Sequence, residues 1–261
     1  MVWNRIESRQ NDAVKFAAGL FDKRARDKAG AFCADGFSIF FDLAAAGVFP
    51  ACVYLSDTAV SMRQSIERAL SPDTLCRLYL LSETAFEKIT SEKGSEGVVS
   101  VYEKRAVHTA NPLRAFRRLI ALENLQDPGN VGSIIRSAAA FGCDGVLLCG
   151  GADPFGPKAV RASMGAFARI PLAVFSNADL ALDFLEEKSV RSLASCLSSE
   201  ALTPRQMNTA PPVCLWIGNE GSGLSPAVLL RAHQKIMIPM QHMESLNAAC
   251  AASVLLWEMT K

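Results

Sequence analysis

Apolar and polar positions alternate along this chain with two periods, a helical one near 3.6 and a strand one of 2, and the segments following each period take turns. In the first third, spacing predicts a helix around Asp12 to Arg26. GFSIFFDLAAAG (36–47) reads as a strand passing into a short helix. Strands follow at 50–56, 75–82 and 98–103, helices at 61–70 and 83–90, and a Gly-containing turn at 93–97. A basic, Asn-Pro-containing stretch, 104–118, reads as a linker. From Leu119 the pattern resets, with strands at 119–124, 145–150, 169–175, 190–196 and from Val213, and helices at 132–142, from Pro157, at 178–188 and at 226–233. The last stretch, Ile236 to Trp257, runs from a short apolar strand through a polar loop into an Ala-rich helix. That helix is apolar almost all round, so its burial is expected.

This alternation predicts an α/β protein in two parts: a small α/β domain over 1–105, a linker over 106–118, and a mostly parallel sheet over 119–261. Three strand-to-helix turns of the second part are rich in Gly, Asn, Ser and Glu: NLQDPGNVG (124–132), GNEGSGLS (218–225) and PMQHMESLN (239–247). Parallel strands deliver their following loops to one edge of the sheet, so the three can build one pocket. Helix-entry amides there need acceptors. The loops hold neither a G-x-G-x-x-G fingerprint nor a Walker loop, so the pocket is expected to read an uncharged or zwitterionic ligand through main-chain contacts. Arg136 lies one turn into the helix after the first loop, off the Ile134/Ile135 side; taken alone it is a surface residue.

Composition narrows the class. Half of the residues are apolar, enough for a sizeable core. Net charge is +1, but residues 1–118 carry 17 Lys/Arg against 14 Asp/Glu while 119–261 carry 10 against 12. A slightly basic N-terminal part is compatible with a polyanion, and KRARDK (23–28) is either a phosphate grip or a solvated helix end. Eight cysteines lie mostly in apolar runs without a C-x-x-C pair, which reads as buried reduced thiols, with no metal site expected. No run reaches membrane-spanning length and the first residues carry no signal-peptide pattern, so a cytoplasmic protein without membrane attachment is expected.

NLQDPGNVGSIIRSAAAFG, LWIGNEGSGLS and IPM…ESLNAACAASVLLWE resemble, in order and spacing, the three motifs of the SpoU-type (TrmH-type) RNA ribose methyltransferases of the SPOUT superfamily. PKAVRASMGAFARIP resembles the segment between the first two motifs. Residues 1–105 resemble the ribosomal-protein-like RNA-binding domain of members that modify rRNA. The resemblance implies a parallel sheet with a deep trefoil knot, S-adenosylmethionine bound bent within it, a ribose 2′-hydroxyl of RNA as methyl acceptor, and a homodimer joined through the C-terminal domain. It implies cofactor contacts at Gly218, Asn219, Ile238, Met240 and Leu246. Arg136 falls on the essential arginine, with Asn130, Glu220, Ser245 and Asn247 around it, and the N-terminal domain implies rRNA rather than tRNA.

Methyl transfer from a sulfonium asks the protein chiefly to align two partners and to activate the oxygen. An arginine is almost never neutral; orienting an RNA phosphate and stabilising alkoxide charge suits Arg136 better than acting as base. Asn130 and Glu220 would shape the acceptor pocket, or Glu220 would hold Arg136 as an ion pair. The third motif departs from the family pattern: Gln241-His242-Met243-Glu244 replaces a longer, Gly-containing loop, and Ala248-Ala249-Cys250 a Val-Ser-Val. Two alternatives stay open, an RNA-binding relative with weak or lost methyl transfer and a base-directed SPOUT methyltransferase.

Overall fold

The computed structural model describes the whole chain except residues 71–73, 91–94, 111–112 and 244 and the side chains of 108–110. Parts of the expected turn at 93–97 and linker, and Glu244 of the third loop, thus lie outside the described residues. In chain order the elements are β1 (Trp3–Ile6), α1 (Asp12–Gly19), α2 (Lys23–Ala29), β2 (Ala31–Asp35), α3 (Phe37–Ala45), β3 (Cys52–Ser56), α4 (Arg63–Ala69), β4 (Arg77–Leu81), α5 (Glu83–Phe86), β5 (Val98–Glu103) and α6 (Lys104–Ala110). The second half continues with β6 (Arg118–Glu123), α7 (Pro128–Ala140), β7 (Gly145–Cys149), α8 (Pro157–Ser163), β8 (Leu172–Phe175), α9 (Ala178–Glu187), β9 (Arg191–Ser195), β10 (Val213–Ile217), α10 (Pro226–Arg231), β11 (Gln234–Ile236) and α11 (Ala248–Thr260).

Two compact units form, Met1–Ala110 with Phe155–Ala168, and Asn111–Pro154 with Arg169–Lys261. The chain therefore leaves the first unit after Ala110, returns to it at Phe155 and leaves again after Ala168.

In the first unit a five-stranded sheet has the order β1-β4-β3-β5-β2, with β5 antiparallel to its neighbours. Phe155 and Phe167, flanking α8, pack on Phe32 of β2 with ring centroids 4.9 and 5.4 Å away. Expectation and structure differ in places. The helix expected from Asp12 to Arg26 is two helices, because Asp22 caps a fresh start by accepting from Ala25 N. Arg26 is neither phosphate grip nor solvated end: it is buried and donates to the carbonyls of Leu20 and Phe21 at the end of α1. GFSIFFDLAAAG contains no strand; the strand is Ala31–Asp35, and Gly36, at φ 115°, turns the chain into α3. Residues 104–110 of the expected linker are helical.

The second unit holds a six-stranded, all-parallel sheet of order β11-β9-β10-β6-β7-β8. Strand residues such as Leu119, Ala121, Leu147 and Trp216 face Ala181, Leu182 and Leu185 of α9 and Val228 of α10. Trp216 is fully buried and donates its Nε1 hydrogen to Ser192 Oγ at 3.1 Å, so its polar edge is satisfied. α7 and α11 form a pair, joined by a Ser137–Ser253 hydroxyl bond of 2.9 Å and a Phe141–Trp257 ring contact. α11 is buried only along Ala248, Ala252, Leu255, Leu256 and Met259; Val254 and Trp257 are exposed, against the expectation of all-round burial. Of the cysteines, Cys33, Cys52, Cys143, Cys149 and Cys214 are buried, Cys76 and Cys196 are half-buried, and Cys250 is exposed. All eight are free thiols. Burial pushes Cys33, Cys143 and Cys149 up to about 12. Among the described residues no helix is long and apolar enough to cross a membrane.

Candidate functional site

From β6 the sheet continues through β7 and β8 on one side and through β10, β9 and β11 on the other. Loops diverge where the strand order reverses, and such a point opens a crevice at the carboxyl edge. A cleft of about 460 Å³ lies at the carboxyl ends of β9, β10 and β11, a size within the ordinary range for ligand sites of roughly 300–1,000 Å³. Its walls are Ser195 to Leu197, Ile217 to Gly221 with Gly223, the run Ile236, Ile238 and Met240, and Ser245 to Ala248 with Ala251 and Leu255.

Each loop is shaped by its own sequence. The first is a helix entry rather than a long turn: Asp127 caps α7 by accepting from Asn130 N at 2.9 Å, and Pro128 sits in the first helical turn. Asn130 is therefore helical, not in the turn expected over 124–132, and the helix expected from Gly132 starts four residues earlier, at Pro128. Gly142, at φ 70°, follows the C-cap Phe141 and ends the helix.

In the second loop, Asn219 and Gly223 exchange two backbone hydrogen bonds of 3.0 Å. Asn219 Oδ1 accepts from Gly221 N and Ser222 N, both at 2.9 Å, so this side chain closes the loop while the residue also lines the cleft. A Cβ at Gly218 would collide with the backbone of Gly223 and Leu224. Only glycine allows this close approach.

The third loop departs from expectation at its start, since β11 ends at Ile236 and Ile238 to Met240 run beyond the strand. Asn247 caps α11 by accepting from Ala249 N and Cys250 N.

A chain of side-chain hydrogen bonds joins all three loops. Asn247 Nδ2 donates to Asn130 Oδ1 at 3.0 Å, and Asn130 Nδ2 donates to Glu220 Oε1 at 2.9 Å. The same carboxylate accepts from Gln126 N at 3.2 Å and Asp127 N at 3.3 Å. Partial burial works to raise the Glu220 pKa, but the bonds from Asn130 and these backbone amides outweigh it and hold the carboxyl below its ordinary value. Glu220 is thus committed to N–H donors as an anion. Arg136 is exposed on α7, while Ile134 and Ile135 are buried. It does not line the cleft, and among the described residues it makes no ion pair with Glu220.

Of the residues singled out in the sequence, Gly218, Asn219, Glu220, Ile238, Met240, Ser245, Leu246 and Asn247 meet at the cleft; Asn130 reaches it through Glu220 and Asn247, and Arg136 stands apart. His242 is exposed and outside the cleft lining. The wall from Ser195 to Leu197 went unread. These residues follow an ordinary apolar strand, and only the sheet order places β9 beside β10. No group of three or more His, Cys, Asp or Glu among the described residues could hold a metal ion.

A resident cofactor can be tested against these walls. Ile217, Ile238, Leu246 and Leu255 offer apolar faces, the Gly218–Gly223 stretch offers main chain without side-chain bulk, and Ser245 and Asn247 offer polar ends. A zwitterionic, partly apolar molecule fits such a lining.

The sequence profile of the SpoU rRNA Methylase family matches residues 117–257, and that of the MRM3-like substrate binding domain matches residues 11–100. The chain is 28% identical over 258 residues to the 23S rRNA (guanosine(2553)-2′-O)-methyltransferase RlmP of Bacillus subtilis, covering 98% of each protein. It superposes on the AdoMet-bound rRNA methyltransferase of Sinorhizobium meliloti with a TM-score of 0.82 and 28% identity, over 98% of this chain and 97% of the other. The TrmH/SpoU tRNA modifying enzyme of A. aeolicus shares the fold over only 60% of this chain and 80% of its own, with a TM-score of 0.52 and 24% identity.

Proposed function

The chain belongs to the SpoU rRNA Methylase family, and from that premise we propose that it methylates a ribose 2′-hydroxyl of structured RNA, rRNA rather than tRNA. It is an RNA methyltransferase, and its cofactor is S-adenosylmethionine. The ribose reading is supported by relatives named for 2′-O methylation, the Bacillus subtilis protein among them, and the three-loop hydrogen-bond chain from Asn247 through Asn130 to Glu220 supplies an ordered acceptor pocket for it. The rRNA reading is supported by two relatives that match nearly end to end and are named for rRNA, those of Bacillus subtilis and Sinorhizobium meliloti, and by the match of 11–100 to a substrate binding domain.

Within this reading, residues 1–105 hold the RNA, 106–118 connect, and 119–261 carry the chemistry. S-adenosylmethionine supplies an activated methyl group on a sulfonium. Gly218, Asn219, Ile238, Met240 and Leu246 hold it against the main chain of the second and third loops. Glu220 accepts from three N–H donors and is a framework anion, not a base. Asn130 is held by Glu220 on one side and Asn247 on the other, which fixes its amide and sets the acceptor pocket together with Ser245. Arg136, exposed and without an ion-pair partner among the described residues, is free to meet an RNA phosphate and stabilise charge developing on the ribose oxygen.

The return of α11 from edge strand β11 to pack on α7 and β10 supports a C-terminal trefoil knot. Exposed Val254 and Trp257 on α11 support a homodimer through this unit. The family's work on RNA supports a cytoplasmic location.

Arg136→Ala tests the assignment: loss of about 10²–10³-fold in methyl incorporation is expected, by analogy with removal of one charge-stabilising donor, with S-adenosylmethionine affinity by calorimetry unchanged. Wild-type turnover would sink the role of Arg136. Mass spectrometry of the modified nucleotide separates ribose from base methylation.

A further inference from the structure

The second loop is fastened to the last residue of β6 and to the residue after it. Asn219 Nδ2 donates to the carbonyl of Asn124 at 2.9 Å, and Ser225 N donates to Oε2 of Glu123 at 2.8 Å. Glu123 is only 3% exposed, does not line the cleft and is outside the mechanism above. A carboxylate withdrawn from water is costly unless bonded, and the bond it makes here goes to the end of the loop. The position of that end matters to the cleft. Leu224 N would lie 2.5 Å from a Cβ on Gly218, so the backbone of Gly218 rests directly on the residue that precedes Ser225.

We propose that Glu123 is a positioning residue of the cofactor site, holding the Ser225 amide so that Gly223 and Leu224 support Gly218 in the cleft wall. The inference rests on the assignment of the cleft to S-adenosylmethionine. It assigns Glu123 no contact with cofactor or RNA; its effect passes through the loop. Glutamine keeps an oxygen at the same reach and supports the loop, whereas alanine removes it.

Three measurements on the full-length chain test this: calorimetry with S-adenosylmethionine, steady-state methyl transfer, and amide hydrogen exchange over 218–228. Loss of this buried hydrogen bond is expected to weaken S-adenosylmethionine about 10-fold in Glu123→Ala and to raise KM alike, with kcat within about twofold. Exchange at Ser225 should quicken in that variant while β6 and β7 keep their protection, and Glu123→Gln should restore both readouts. Unchanged affinity with Ser225 still protected overturns the proposal. So does loss of protection across the whole sheet with no rescue by glutamine, which marks a merely structural carboxylate. If Glu123→Ala does not fold, Glu123→Asp, one methylene shorter, replaces it: weaker binding with an exposed Ser225 amide supports the latch, and wild-type values overturn it. If the wild-type chain binds no S-adenosylmethionine, the cofactor assignment fails, while exchange at Ser225 still reports on the latch.

Discussion

The two loops that face each other across the cleft are built in opposite ways. Gly218–Ser225 is braced from within by Asn219 and from outside by Glu123, Asn124, Gln126, Asp127 and Asn130. Across from it, residues 238–243 and 245–246 make no hydrogen bond among the described residues; the pairing ends with Met237 N on Leu202 O and resumes with the cap at Asn247. One wall is a preformed surface, and the other presents backbone groups whose partners must come from water or a ligand. Binding energy should therefore be paid out unequally: the braced wall fixes where a ligand sits, and the open one responds to it.

The contrast breaks most visibly at Gly218. Gly218→Val drives a branched side chain into the backbone of Gly223 and Leu224, and a misfit of this kind should weaken S-adenosylmethionine by about 100-fold or more. Binding within threefold of wild type would mean that the wall is not preformed. Next comes Asn130→Ala, which cuts the chain between Glu220 and Asn247; a fall of about 10-fold in kcat/KM is expected from the loss of one oriented amide, measured with saturating cofactor. A smaller effect belongs to the open side: Gln241→Ala should change thermal stability by less than about 0.5 kcal/mol, because no side-chain hydrogen bond or ion pair holds Gln241 among the described residues. Amide exchange sharpens the pair further, since S-adenosylmethionine should slow exchange over 238–246 more than over 218–225.

The mildest test uses pH. The Glu220 carboxyl is held below its ordinary value, so the stability it lends is present above the ordinary carboxyl pKa of 4.5 and is lost as pH falls through the lowered one. The difference in melting temperature between wild type and Glu220→Gln should therefore be constant near neutrality and shrink below pH 4.5. A difference that grows on acidification would reverse the assignment.

Much of this contrast was visible in the residues themselves. Gly, Asn and Glu in GNEGSGLS announce a loop that folds back on itself, and Asn247 before an Ala-rich run announces a cap. Local chemistry of that kind is written in neighbouring residues. Long-range pairing is not. The role of Glu123 depends on β10 lying next to β6, and Ser195 to Leu197 enter the cleft only because β9 lies on the other side of β10. Strand β1 was missed because four residues with one buried side chain carry little period-2 signal. In the helix α3 region the apolar run FSIFF suits strand or helix equally, and the flanking Gly36 decides between them through a backbone angle that sequence does not print. For α7 the signal is present, as Asp-Pro is an N-cap followed by a first-turn proline, but the same dipeptide suits a turn equally.

The looping of the chain back into its first unit bears on how the protein is made. Phe155 and Phe167 complete the packing around Phe32, so a nascent chain that has emerged only as far as Ala110 holds an aromatic cluster with its later members still unsynthesised. At about 5–20 residues per second, the wait until Ala168 emerges is on the order of seconds. During it, β6, α7 and β7 appear beside an unfinished neighbour. A ribosome therefore cannot deliver the two units one after the other, and a gene fusion cut between them would leave the first without its last aromatic rings.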